Sequence, residues 1–176
     1  MFITGISYGT LFGGRWTGAL SFNVDFNGSA AVGGELSEAI IKIRTAPQGK
    51  LKFICLTGTY TQANELDIYT FVKALRDSGY IVMAISDGQH HHSWFTLLNY
   101  LVVEIGDELW PGFACNELRY KFSATSSGEE PIAPAEIGAR YVIPQNGVAQ
   151  QRIFDFVHKA KNQWGIISRT KYFVEV

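Results

Sequence analysis

The sequence predicts an α/β fold: a mainly parallel sheet with flanking helices. Three observations point there. Short apolar runs at residues 50–56, 80–85 and 101–105 have strand length but no polar alternation, the mark of strands buried on both faces. Amphipathic stripes at helical spacing lie between and after them. Glycines stand where strands and helices hand over to one another, as in Gly58, Gly79 and Gly88. Strands alternating with helices build βαβ units. An incomplete (β/α) barrel fits this alternation. A doubly wound sheet is its rival, although the chain has no GxGxxG turn and no Walker-type loop.

The first 34 residues read as strands and turns. Leu20, Phe22, Val24 and Phe26 alternate along one face of a strand. Asn27-Gly28 ends it, and the small residues 29–34 form a loop. Ser37 is a candidate N-cap for a short helix whose stripe is Leu36, Ala39, Ile40 and Ile43, broken by Pro47-Gln48-Gly49. After the buried strand at 50–56, Asn64 is placed to cap a helix striped by Ile68, Tyr69, Val72 and Leu75. Gly79 stops it in the usual position just past the end. The strand at 80–85 comes next, then a short helix at 94–100 and a strand at 101–105. Residues 117–124 predict another strand, 126–134 a polar, Pro-containing, mobile loop, and 140–143 a short strand. Asn146-Gly147 opens the clearest helix, with Ile153, Phe156, Val157, Ala160 and Trp164 as its stripe. A strand at 172–176 ends the sequence.

The chain has 176 residues and 47% are apolar, so one domain over 1–176 is expected to bury roughly two thirds of its unfolded surface. The net charge of −1 gives no basic excess, which argues against a nucleic-acid partner. No apolar run reaches membrane-spanning length, and the start lacks the basic and apolar regions of a signal peptide. The two cysteines, Cys55 and Cys115, are far apart, and Cys55 lies in an apolar run. A disulfide framework is therefore not expected, and a cytoplasmic location is.

Several residues are candidates for a site. Thr57, Gly58, Thr59 and Tyr60 come after a strand, at the edge where ligands gather on parallel sheets. Backbone N–H groups and hydroxyls there can hold a small ligand, but an ordinary βα turn also needs glycine and polar caps. Ser86, Asp87 and Gly88 occupy the same edge, with His90 just beyond. His90-His91-His92 is the local feature closest to a metal motif. Three adjacent histidines cannot converge on one point from a regular strand or helix, so an exposed polar loop is the plainer reading and no metal is assigned. Asp25 and Glu104 read as solvated strand-end charges. His158 reads as exposed on the last helix, so no Ser-His-Asp constellation is expected. Trp16, Trp94, Trp110 and Trp164 are candidate interface anchors or, equally, residues that plug the open side of the barrel, with Trp110 and Phe113 in a loop where large aromatics call for a partner.

The order of elements resembles the 7-carboxy-7-deazaguanine synthases, small radical SAM enzymes with a trimmed (β/α) barrel. Their opening Gln-Gly-Glu-Gly turn corresponds to Tyr8-Gly9-Thr10-Leu11, with Gly13-Gly14-Arg15 just after it. Their next strand ends in Gly-Cys-Asn and leads to the cluster cysteines. Here Asn27-Gly28-Ser29-Ala30-Ala31 carries none. Their Thr-Gly-Gly-Glu-Pro cradle for the SAM amino group reads Thr57-Gly58-Thr59-Tyr60-Thr61. Gln62 and Glu65-Leu66 still fit the family's pattern after that cradle, and Thr-Asn-Gly becomes Ser86-Asp87-Gly88. The stretch 147–176 sits where the family has its last helix and strand.

The resemblance implies an incomplete barrel of radical SAM type whose cluster ligands are gone. It does not imply retained activity; no cofactor is expected, and a role in protein partnership or self-association is. Relatives of these enzymes occur in phage genomes, so a virion subunit is one expected role. A nucleoside- or SAM-like ligand binder, or an enzyme of other chemistry at the strand ends, is the alternative. Fold alone decides none of these.

Overall fold

The computed structural model describes residues 2–11, 17–27, 36–46, 51–60, 64–107, 113–131, 136–161, 163–167 and 173–175. Among these residues the chain forms nine strands: β1 (Phe2–Leu11), β2 (Leu20–Asn27), β3 (Phe53–Gly58), β4 (Ile81–Ser86), β5 (Tyr100–Ile105), β6 (Cys115–Phe122), β7 (Ile137–Pro144), β8 (Gly165–Ile166) and β9 (Phe173–Glu175). Three α-helices accompany them: α1 (Leu36–Thr45), α2 (Glu65–Asp77) and α3 (Gln150–Lys159). A 3-10 helix spans Ser93–Leu97.

All nine strands belong to one sheet, ordered β8-β7-β6-β5-β4-β3-β2-β1-β9. From β2 to β8 each strand is parallel to the next. β1 runs antiparallel to β2, and β9 antiparallel to β1. The order therefore tracks the sequence from β1 to β8, without the reversal that defines a doubly wound sheet. Parallel neighbours need crossovers. α1 links β2 to β3, α2 links β3 to β4, and α3 links β7 to β8. The 3-10 helix links β4 to β5, and residues 106–114 link β5 to β6 with no helix among those described. No helix of the described residues is long and apolar enough to cross a membrane.

Right-handed crossovers in sequential order put the helices on one face of the sheet, and packing agrees. The buried residues of α1, α2 and α3 join Phe22, Val24, Ile54, Leu56, Val82, Ala84, Val103 and Leu118 in one cluster. The residues between these on each strand face the other way. There a smaller cluster of Leu11, Cys55, Met83, Tyr100 and Val102 contains no helical residue. Among the described residues the sheet thus has a helix face and a helix-free face. Each fully buried Leu or Ile on the helix face contributes about 1.5–3 kcal/mol.

Several expected elements move. The helix expected at 94–100 is the 3-10 helix. Leu98 is already extended at φ −72°, ψ 146°, and Tyr100 begins β5. The Asn99 side chain accepts the Val82 N–H at 2.9 Å, which fixes the chain for strand pairing. The helix expected from 146 starts at Gln150, because Gly147 at φ +83° makes a turn first. It ends before Trp164, which packs back after Lys161 takes a left-handed φ of 55°. Ser37 lies inside the first turn of α1 rather than before it. Asn64 precedes α2 but makes no capping hydrogen bond through its side chain. Gly79, at φ +84°, does come after α2 in the left-handed conformation.

The loop expected to be mobile is held at its described part. Arg152 donates to the Ser126 carbonyl at 2.7 Å, Ser126 donates to Asp107 at 3.1 Å, and Trp164 donates to Glu130 at 2.9 Å. Residues 132–135, the loop at 29–34, the Pro47-Gln48-Gly49 break, Gly13-Gly14-Arg15, Thr61, Gln62, residues 171–172 and Val176 lie outside the described residues.

Candidate functional site

The ends of β3 and β4 lie side by side, since Leu56 pairs with Ala84. Gly58 closes β3 at φ +101°, and a Cβ there would stand 1.9 Å from the Phe26 carbonyl oxygen. Only glycine fits, and the approach lets the Thr59 N–H donate to that same oxygen at 3.0 Å. The next residue, Tyr60, turns inward. Its ring packs 5.8 Å from Phe26 and 5.0 Å from Trp94, and the phenol is buried. Burial pushes its ionisation well above the ordinary tyrosine value.

The expected site residues on these turns are occupied with local structure. Ser86 Oγ accepts the Gly88 N–H at 3.1 Å, and an Asp87 carboxylate oxygen accepts the Gln89 N–H at 3.0 Å. Thr57 is half-buried and donates to Asp25 at 3.0 Å. His90 is exposed, its ring 6.4 Å from that of His92.

The three histidines go to three surroundings. His91 is exposed against Phe113, with ring centroids 5.3 Å apart. His92 is buried and stacks on Trp94 at 5.8 Å. Its Nδ1 has no hydrogen bond and lies 3.9 Å from a Glu65 carboxylate oxygen. Burial wins over that carboxylate, so His92 is harder to protonate than a free histidine. The other Glu65 oxygen accepts the Ser93 N–H at 2.6 Å, tying the 3-10 helix to the start of α2. Among the described residues, no three His, Cys, Asp or Glu groups are arranged to hold a metal ion.

A cluster that sequence reasoning missed sits on the helix-free face. Glu104 on β5 pairs in register with Arg119 on β6, and Val102 with Glu117. Arg119 Nε donates to Glu117 at 2.6 Å, and its Nη1 stands 3.5 Å from Glu104. Lys121 Nζ reaches the other Glu104 oxygen at 3.1 Å, and the Tyr100 hydroxyl donates to Glu117 at 2.9 Å. Glu104 is 6% exposed, Arg119 2% and Glu117 0%. The expectation of Glu104 as a solvated charge is therefore overturned: it is buried, and two cations neutralise it.

Two carboxylates and two cations balance, and both Glu117 oxygens are engaged by Arg119 and Tyr100. Glu104 Oε1 and Arg119 Nη1 face each other at 3.5 Å without a hydrogen bond, so this contact is one of charge alone. Such a charge-balanced cluster is suited to fixing β5 against β6. A slip of one residue would drive Glu117, Arg119 and Lys121 into the apolar helix face. The signal was present in the sequence of β6, Cys-Asn-Glu-Leu-Arg-Tyr-Lys-Phe, whose alternating charges of both signs compensate one another.

Both cysteines are free and buried. Cys55 lies in the smaller cluster on the helix-free face and Cys115 in the main core. Burial pushes each thiol up to about 12, so both are held protonated. Of the expected interface tryptophans, Trp94 is wholly buried and Trp164 is 3% exposed, so both are core residues. Trp16 and Trp110 lie outside the described residues. Phe113 is half-buried and packs 5.8 Å from Phe95. A cavity of about 340 Å³ opens beside it, lined by His91, Phe95, Thr96, Leu101, Phe113, Ala114, Cys115 and Asn116. No protein-family model matches the chain, and no curated protein matches its sequence.

Proposed function

We propose that this is a non-catalytic structural or partner-binding protein on a decayed radical SAM-like scaffold, working as a subunit of a larger assembly such as a phage virion. The scaffold would be an incomplete (β/α) barrel related to the 7-carboxy-7-deazaguanine synthases. The sequential parallel strand order, with helices on one face, supports that kinship. The observation that carries the reading is Tyr60. At the strand end where the family cradles SAM, the chain's own phenol is buried against Phe26 and Trp94. The hydroxyl and carboxylate of Ser86 and Asp87 are engaged by their own turn.

The residues present do not fit the family's iron–sulfur cluster. A cluster needs several thiolates at one point. This chain has two cysteines in all, in separate packing clusters, each held as a neutral thiol.

The rival reading is a nucleoside- or SAM-like ligand binder, or an enzyme, at the ends of β3 and β4. Half-buried Asp25 and Thr57 favour it, since they join two strand ends on the helix-free face. Native mass spectrometry with metal analysis on the purified chain separates the two. A metal-free, ligand-free oligomer or a complex with a second protein is expected. A monomer holding stoichiometric iron, zinc or nucleoside would sink the proposal.

A further inference from the structure

We propose that the cavity on the helix side of β5 and β6 binds a small, uncharged, planar heteroaromatic molecule that carries a hydrogen-bond acceptor on its edge. β3 and β4 are joined across α2, whereas the described part of the β4–β5 crossover holds the 3-10 helix, and Phe113 stands beside it. Rings cover this stretch of sheet and leave a gap of about 340 Å³. That volume lies at the small end of ligand sites, roughly 300–1,000 Å³, and suits one or two fused rings rather than a peptide or a nucleotide.

The lining selects the ligand's chemistry. Phe95, Leu101 and Cys115 form a buried apolar floor, and burial keeps the Cys115 thiol neutral. Phe113 and His91 stand edge to face with centroids 5.3 Å apart, and Phe95 lies 5.9 Å from His91. Such walls favour a flat aromatic guest. Among the described residues no Lys, Arg, Asp or Glu lines the cavity, so the described walls do not favour a charged group.

The polar groups sit at the exposed rim. Asn116 Oδ1 accepts the Leu101 N–H at 2.7 Å. That bond orients the carboxamide and leaves its NH₂ donors for a guest. His91 makes ring contacts, with no hydrogen bond among the described residues. An acceptor on the guest's edge meets a fixed donor at Asn116. This site is separate from the strand ends of β3 and β4, and the inference does not depend on the assembly reading above.

Quinoline and naphthalene test it, because they share a shape and differ in one acceptor nitrogen. Titrations of the full chain, monitored by amide ¹H–¹⁵N shifts, are expected to show quinoline binding with a dissociation constant of order 1 mM or tighter. The shifts should centre on Leu101, Phe113 and Asn116. Naphthalene should bind roughly two- to tenfold more weakly, the worth of one hydrogen bond. Asn116→Asp keeps the acceptor for Leu101 and removes the donors, so it should erase that preference. Should Asn116→Asp fail to fold, exposed His91→Ala serves, and it should weaken quinoline. Absence of shifts, shifts centred elsewhere, or equal binding of the two probes would overturn the proposal.

Discussion

The two faces of the sheet solve burial in opposite ways. On the helix face, Val24, Leu56, Val103 and Leu118 pack under three helices, and nearly every contact there is apolar. On the helix-free face, Glu104, Glu117 and Arg119 are as well buried as those aliphatics, although no helical residue joins the cluster beside them. Leu118 and Arg119 are neighbours on one strand and point to different faces. The first needs only shape. The second needs both carboxylates in place, because an ion taken from water costs several kcal/mol unless it is paired and hydrogen-bonded. Burial here is thus one outcome with two kinds of dependence: the helix face tolerates change in proportion to volume, while the other face answers all or nothing.

The sharpest way to break this contrast is Arg119→Met. It leaves two buried carboxylates without their shared cation and is expected to cost about 3–5 kcal/mol. Urea unfolding would measure it as a lower midpoint at unchanged slope. Replacing Glu104, Glu117 and Arg119 together by apolar residues should recover most of that loss, apart from the hydrogen bond Tyr100 forfeits. If the triple variant is no better than the single one, the cluster is not held by charge balance as described. Leu118→Ala on the other face should cost about 3 kcal/mol, within the roughly 2–5 typical of such truncations, through lost contacts and a cavity. A loss as large as that of Arg119→Met, with no rescue by neighbouring substitutions, would erase the difference between the faces.

The helix face was the legible one. Its strands are apolar runs and its helices carry 3.6-period stripes, so Ile43, Ile68, Val72, Leu75, Ile153 and Phe156 were all assigned to the core and are buried. The charged cluster on the other face was missed for a physical reason. Alternation of charged and apolar residues in β6 reports that its two faces differ and does not report which is solvated, and here the polar side is buried too. Glu104 was read as a solvated strand-end charge because its ion partners, Arg119 and Lys121, lie on a different strand. The turn chemistry at Gly58 and Gly79 was readable because only glycine takes those positive φ values cheaply. The plug at Tyr60 was not, because which way a ring turns after a strand depends on Trp94, far along the chain.

Tyr100→Phe probes the charged face more gently. It removes one hydroxyl that donates to Glu117 and keeps the ring in the cluster with Cys55 and Met83. A hydrogen bond to a charged acceptor is worth about 1.5–3 kcal/mol, so a loss near 2 is expected by chemical denaturation. A loss close to zero would mean Glu117 is satisfied by Arg119 alone.

The smallest effect expected belongs to acid, and it tests whether the helix face is otherwise indifferent to charge. His92 is the buried histidine there, packed by Tyr60, Trp94 and Phe95, with Glu65 at 3.9 Å and His90 and His91 nearby. Burial lowers its pKa below the ordinary 6.5 more than Glu65 raises it. The unfolded chain therefore binds the proton first as pH falls, and stability is full above about 6.5 and declines below it. Glu65 is lowered as well, chiefly by its hydrogen bond from Ser93, so its contribution is lost only below its ordinary 4.5. His92 therefore lowers stability as pH falls from 7 towards 5, read as a falling Tm. His92→Phe should flatten the profile in that window and leave the Arg119 penalty untouched, since the two sit on different faces. A profile equally steep in His92→Phe would overturn this assignment.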